Sequence, residues 1–136
     1  MVKPKCDTAQ LPTEKPPQAT RRQDDERKRM KRYGMWIKVK EDSIPMYKEY
    51  HAKVWPEVLA TIRACNIKNY SIFLKNDSLF AYFEYHGADY DADMKKMAAD
   101  PKTQEWWKIM MPIQVPLDTR AEGEWWANME EVFHTE

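Results

Sequence analysis

All six Trp, all seven Tyr and all four Phe of this 136-residue chain lie at or beyond Tyr33. Large flat side chains carry the most buriable surface per residue, so whatever core the chain builds comes from residues 33–136. Residues 1–32 instead hold Pro4, Pro12, Pro16 and Pro17, ten basic and five acidic residues, and almost no large apolar side chain. Such a stretch cannot bury enough surface to offset the entropy of ordering it, and it reads as a disordered, charged, Pro-rich tail. The remainder is long enough for one core and one domain.

The zero net charge hides an asymmetry. With the tail removed, the remainder carries twelve basic against seventeen acidic residues. A mildly acidic domain argues against nucleic acid or a phosphorylated compound as its main ligand. The run from Arg21 to Arg32 fits a localisation signal or an RNA-binding arm, although a run broken by Asp24, Asp25 and Glu26 is ordinarily just solvated. No apolar stretch follows the N-terminal lysines as a secretory leader would require, and none approaches the ~20 residues of a membrane span. Cys6 in the tail and Cys65 at a helix end are not plausible disulfide partners. Free thiols without an export signal point to a reducing, cytoplasmic compartment.

Hydrophobic periodicity orders the domain. Tyr33, Met35, Ile37 and Val39 alternate with more polar neighbours as a half-buried strand does. Asp42 or Ser43 is placed to cap the helix that follows, with Pro45 in its first turn. The helical pattern runs to about Cys65, and Pro56 within it predicts either a kink or a break that opens a second helix. Residues 69–75 and 79–86 read as two aromatic-rich strands joined by Asn76-Asp77-Ser78 turn chemistry. Tyr90–Ala99 reads as a helix with Met94 and Met97 inward, and Asp100-Pro101 as a stop followed by a second short helix. Glu130–His134 reads as a final strand. The order β-α-β-β-α-β predicts an α+β, ferredoxin-like fold with one antiparallel sheet and its helices on one face. Strands two and three are apolar on both faces, which predicts that two chains stack their sheets as a homodimer.

One titratable group stands out. In Tyr47-Lys48-Glu49-Tyr50-His51 a helix sets Tyr47 and His51 one turn apart, on the face that also carries Ile44, Val54, Trp55, Val58 and Ile62. An imidazole turned inward beside a phenol suits proton transfer near neutral pH. Such a histidine is more often a satisfied core residue, and Tyr47 and Trp55 at helical spacing more often pack than bind. Acyl transfer is poorly served, since no Gly-x-Ser-x-Gly turn is present. His51, His86 and His134 fall on separate elements without metal-ligand spacing, and three glycines build no phosphate loop. Trp and Tyr in quantity around one proton-transfer group describe an aromatic cavity of the kind that binds sugars. Trp106 and Trp107, being adjacent on a helix, cannot both face it.

Four segments together carry a resemblance: Tyr47-x-x-x-His51-x-x-Val54-Trp55-Pro56-Glu57, Asn69-Tyr70-Ser71-Ile72, Trp106-Trp107-Lys108-Ile109-Met110 and Glu131-Val132-Phe133-His134. In order and spacing, from about Tyr33 to His134, they resemble the L-rhamnose mutarotases. That resemblance implies a ferredoxin-like, dimeric α/β-barrel and a cofactor-free isomerase that interconverts the α and β anomers of L-rhamnose or a similar 6-deoxy-hexose. It implies His51 as general acid, with Tyr47, Tyr70, Trp106 and Trp107 lining the sugar site and no metal. The second proton acceptor is left open between a water and a tyrosine. The sequence departs from the family pattern at Tyr50 and Ala52-Lys53, where Arg and Asn-Pro are common. Two other readings stand beside it: a monooxygenase on the same dimeric barrel, and a sugar-binding module without catalysis.

Overall fold

The computed structural model describes residues 17–136. Cys6 and the first sixteen residues of the expected tail lie outside them. Within that expected tail, Gln18–Arg29 forms a helix, α1, whose described side chains are all exposed. The composition that argues against a core does not argue against a solvated helix. The segment holds no Gly or Pro, and Arg21, Asp25 and Arg29 follow one another at the four-residue spacing that supports one.

Strand β1, Lys31–Val39, begins two residues before Tyr33. A short 3-10 turn, Glu41–Ser43, leads into helix α2, Ile44–Ala52. Ser43 sits at the cap position, yet neither it nor Asp42 caps α2; their side chains bond each other at 3.2 Å. Of the two outcomes expected at Pro56, the break is the one realised. Helix α2 stops at Ala52, and Pro56 opens helix α3, Pro56–Ala64. Pro56 has no N–H to continue the ladder, and it pushes Trp55 into extended backbone with φ −58° and ψ 133°.

Strands β2, Ile67–Lys75, and β3, Ser78–Tyr85, form the expected hairpin. Asn76 takes the left-handed conformation in its turn, and Asn69 does so where the register shifts between Lys68 and Ser71. Helices α4, Tyr90–Ala99, and α5, Pro101–Met110, meet at Asp100. The Asp100 carboxylate accepts hydrogen bonds from the Thr103 backbone N–H and hydroxyl, both 2.9 Å, and so starts the helix that carries the Trp pair.

The last expected strand is not where the pattern put it. Glu130–His134 is irregular. The edge of β1 is occupied instead by two earlier pieces, β4, Gln114–Val115, and β5, Ala127–Met129. Ala127 is buried, whereas Val132 and Phe133 are 88% and 80% exposed, so the apolar pair at 132–133 faces away from this chain's core. Beyond Met129 the segment follows β1 through a side chain rather than a ladder. The Arg32 guanidinium grips both Glu131 carboxylate oxygens at 2.8 and 3.0 Å.

The strands form one antiparallel sheet in the order β2-β3-β1-β4, with β5 also on β1. One face carries Ile37, Val39 and Leu79, buried against Tyr47, Val58, Trp106, Met110 and Ile113. Farther along, Ile67, Phe83 and Tyr85 pack with Tyr33, Met35, Met94 and Met97. The fold is thus α+β, with α2 and α5 pressed on the sheet face that meets Tyr47 and Trp106. Cys65 is a buried free thiol.

Candidate active site

Tyr47 and His51 sit one turn apart on α2, with His51 in its last turn and Tyr47 buried against the sheet. They stack on each other, centroids 4.0 Å apart and planes 20° off parallel. The His51 Nδ1–H donates to the Tyr47 carbonyl at 2.7 Å. A carbonyl can only accept, so Nδ1 carries the proton and the lone pair of the neutral ring lies on Nε2. Trp106, buried on α5, stands nearly perpendicular to the imidazole at 5.3 Å, and Tyr50 and Trp55 close round that indole at 5.8 and 5.2 Å. The imidazole is held on three sides by a carbonyl, a phenol ring and an indole, and its rotation is restricted accordingly.

Burial sets the titration of these groups. It pushes the His51 imidazole below its usual value, and the hydrogen bond to the Tyr47 carbonyl only partly opposes that. The Tyr47 phenol is driven well above the usual phenol range by burial, with a smaller contribution from Tyr70. Tyr70, on β2, leaves 40% of its surface to solvent, and its phenol is pushed up to about 12 by desolvation, with a smaller contribution from Tyr90. Both tyrosines therefore hold their protons at neutral pH and act as hydrogen-bond donors. Of the site's titratable groups, the neutral His51 ring offers the one lone pair basic enough to take a proton at neutral pH, on Nε2.

Beside these rings lies a cavity of about 250 Å³. One wall comes from α2, with Tyr47, Lys48, His51 and Ala52; the other comes from the hairpin, with Ile72 and Leu74 of β2 and Leu79 of β3. It is smaller than the roughly 300–1,000 Å³ of pockets for drug-sized ligands, which suits a molecule no larger than a monosaccharide.

The structure thus brings Tyr47, His51 and Trp106 into contact, with the Tyr70 hydroxyl near enough to Tyr47 to act on its titration. Trp107, next to Trp106 on α5, makes none of these ring contacts and is 36% exposed. Sequence reasoning missed Lys48, Ala52, Ile72, Leu74 and Leu79 as lining residues. Period-two alternation from Tyr70 along β2 would have pointed to Ile72 and Leu74, and the hairpin register sets Leu79 opposite Leu74. Among the described residues, no group of three or more His, Cys, Asp or Glu side chains could hold a metal ion, and no helix is long and apolar enough to cross a membrane.

Comparisons with known proteins converge on one family. Residues 32–135 match the sequence model described as L-rhamnose mutarotase. A protein from Oceanobacillus iheyensis named L-rhamnose mutarotase is 36% identical over 86 residues, covering 62% of this chain and 80% of its own. A protein from Xanthomonas campestris named L-fucose mutarotase is 34% identical over 94 residues, covering 66% of this chain and 74% of its own. The crystal structure of L-rhamnose mutarotase from Formosa agariphila superposes with a TM-score of 0.61 at 25% identity, covering 78% of this chain and 99% of that one. The family match covers all of the sheet but Lys31, and both helices that carry the site: this chain belongs to the L-rhamnose mutarotase family.

Proposed function

We propose that the protein is an aldose mutarotase that interconverts the α and β anomers of L-rhamnose, with His51 moving the proton. The observation that carries this reading is the imidazole at the cavity wall, its Nδ1 tied to a backbone carbonyl and its Nε2 left with the lone pair. Mutarotation opens the pyranose by removing a proton from the anomeric hydroxyl and adding one to the ring oxygen. Both oxygens are bonded to C1, so one nitrogen can serve them in turn. Nε2 takes the hydroxyl proton, leaving an anomeric alkoxide. The imidazolium then acts as general acid, returning that proton to the ring oxygen as the C1–O5 bond breaks and the C1=O bond forms. After rotation about C1–C2, the reverse steps close the ring on the other face. The proton balance closes within the sugar and His51, and neither a tyrosinate nor a second acceptor is needed.

Tyr47 and Tyr70 donate hydrogen bonds to sugar hydroxyls, and Trp106 and Trp107 belong to the substrate site, with Trp106 also bracing His51. No cofactor enters the scheme. The similarity to an L-fucose mutarotase favours a second reading in which another 6-deoxy-hexose is the cellular substrate.

The finer architecture is also part of this proposal. The order β2-β3-β1-β4 with every neighbouring pair antiparallel supports a ferredoxin-like arrangement whose fourth-strand place is shared by β4 and β5. The sheet face away from the helices carries Trp36 stacked on Phe80 and Phe73 at 65% exposure, which supports a homodimer built by stacking those faces. Residues 31–136 are the catalytic domain, and the charged segment before them is outside the chemistry.

The experiment is saturation-transfer NMR between the two anomers of L-rhamnose. The protein should accelerate exchange over buffer; His51→Ala should remove the acceleration and His86→Ala should keep it. A folded protein with no acceleration on L-rhamnose or L-fucose overturns the assignment.

A further inference from the structure

The cavity has two unlike walls. Every side-chain heteroatom among its lining residues comes from α2: the Tyr47 hydroxyl, the Lys48 ammonium and the His51 imidazole. The hairpin wall is made by Ile72, Leu74 and Leu79, three aliphatic side chains with no heteroatom. Leu79 is fully buried, and Leu74, its cross-strand partner, is 36% exposed.

We propose that Ile72, Leu74 and Leu79 form a subsite for the C6 methyl group and select 6-deoxy sugars over their 6-hydroxy counterparts. The inference rests on the mutarotase reading, which fixes the sugar's placement. His51 must reach both the anomeric oxygen and O5, so C1 and O5 lie at the α2 wall. C6 is only two bonds from O5, and whatever group it carries is held inside the same small space. The ring hydroxyls find their donors on α2, which leaves the hydrocarbon wall for the one part of the molecule that needs no hydrogen bond. A methyl group there removes apolar surface from water on both sides. A hydroxymethyl group would bring its hydroxyl against Ile72 and Leu74 with no partner to replace water. A hydrogen in the same place would leave the wall unfilled.

Three sugars with the same ring configuration read the subsite alone: L-rhamnose with a methyl at C5, L-mannose with a hydroxymethyl, and L-lyxose with only hydrogen. Both the exchange rate and the affinity are measured for each, by saturation transfer and by titration calorimetry. The expected result is a preference for L-rhamnose of about 10- to 100-fold over the other two, the range one methyl or one hydroxyl commands in an apolar pocket. Leu74→Asn and Ile72→Thr, both on the edge strand, should narrow the L-rhamnose to L-mannose ratio several-fold, mainly by weakening L-rhamnose. Equal affinity for L-rhamnose and L-mannose, or a ratio that neither substitution moves, overturns the subsite. An affinity order that favours L-rhamnose without any rate acceleration supports the subsite and overturns the mutarotase reading instead.

Discussion

At the scale of single residues, the site turns on which nitrogen of His51 is free and on the state of that ring at working pH. Burial holds its pKa below the usual 6.5, so at pH 7 the ring is neutral and Nε2 is ready to accept. The sign of the pH dependence follows. kcat/KM should be flat through pH 7 and fall on acidification, about tenfold per unit once the pH drops below the lowered pKa, because the imidazolium cannot accept the anomeric proton. A profile that falls instead as pH rises through 6–8 would mean that the imidazolium is the starting form. Circular dichroism at each pH separates this from acid unfolding. His51→Ala should cost about 10²- to 10⁴-fold in rate, the usual worth of a positioned acid–base group. Tyr47→Phe keeps the ring that stacks on the imidazole and removes only the hydroxyl donor. Its kcat/KM should fall about tenfold, the loss of one hydrogen bond to substrate, while the His51-dependent pH profile keeps its shape. The Tyr47–His51 stack was legible in the sequence because four-residue spacing on a helix sets both rings on one face. Which Trp of the pair 106–107 would pack beside His51 was not, since adjacent helical residues point about 100° apart and only packing decides which one faces inward.

At the scale of elements, local chemistry decided most of the outcome. An interruption of the helix at Pro56, kink or break, was readable because proline removes a donor wherever it stands, and the hairpin because Asn76-Asp77 offers the chain a turn. The last strand was misplaced for a long-range reason. Residues 127–129 reach β1 first, and alternation at 130–134 says nothing about which edge is still free. The β3–α4 connection shows how tightly one such element is set. The Tyr85 hydroxyl donates to Asp93 Oδ2 at 2.5 Å and accepts from the Asp89 backbone N–H at 3.1 Å, and Asn66 donates to the same carboxylate oxygen at 2.9 Å. These bonds hold the loop so closely that a Cβ on Gly87 would run into the Tyr85 hydroxyl and the Asp93 carboxylate. Gly87→Ala should therefore destabilise the protein by about 1–3 kcal/mol in urea unfolding, as overpacking does. Tyr85→Phe in the same chain should recover part of that loss by removing the oxygen in the way, a non-additivity expected only of residues in contact.

At the scale of the whole molecule, the face of the sheet away from the helices asks for cover. Trp36 stacks on Phe80 there at 5.6 Å, and its indole Nε1–H is buried without a hydrogen-bond partner. Phe73 lies across from Phe80 in the hairpin register and is largely exposed. The carboxylate of Glu84, bonded by Asn69, Tyr82 and His86 at 2.9 to 3.1 Å, is already satisfied within the chain and leaves the aromatic patch as the part to be buried. Two such faces packed about a two-fold axis would bury Phe73, Phe80 and Trp36 of both copies, and the exposed Val132-Phe133 arm extends from the same edge of β1. At micromolar concentration, sedimentation equilibrium should accordingly give twice the chain mass. Phe73→Asp changes a side chain that the isolated fold leaves in solvent, so the fold should survive it within about 0.5 kcal/mol. Placed at the centre of a symmetric interface, the same substitution sets two carboxylates opposite hydrocarbon and should weaken association by about 2–4 kcal/mol, as the loss of an interface anchor does. That is roughly thirty-fold to a thousand-fold in the dissociation constant, enough to give a folded monomer at concentrations where the parent is dimeric. A parent that sediments as a monomer, or a Phe73→Asp variant that stays as tightly dimeric, would leave this apolar face to be explained some other way.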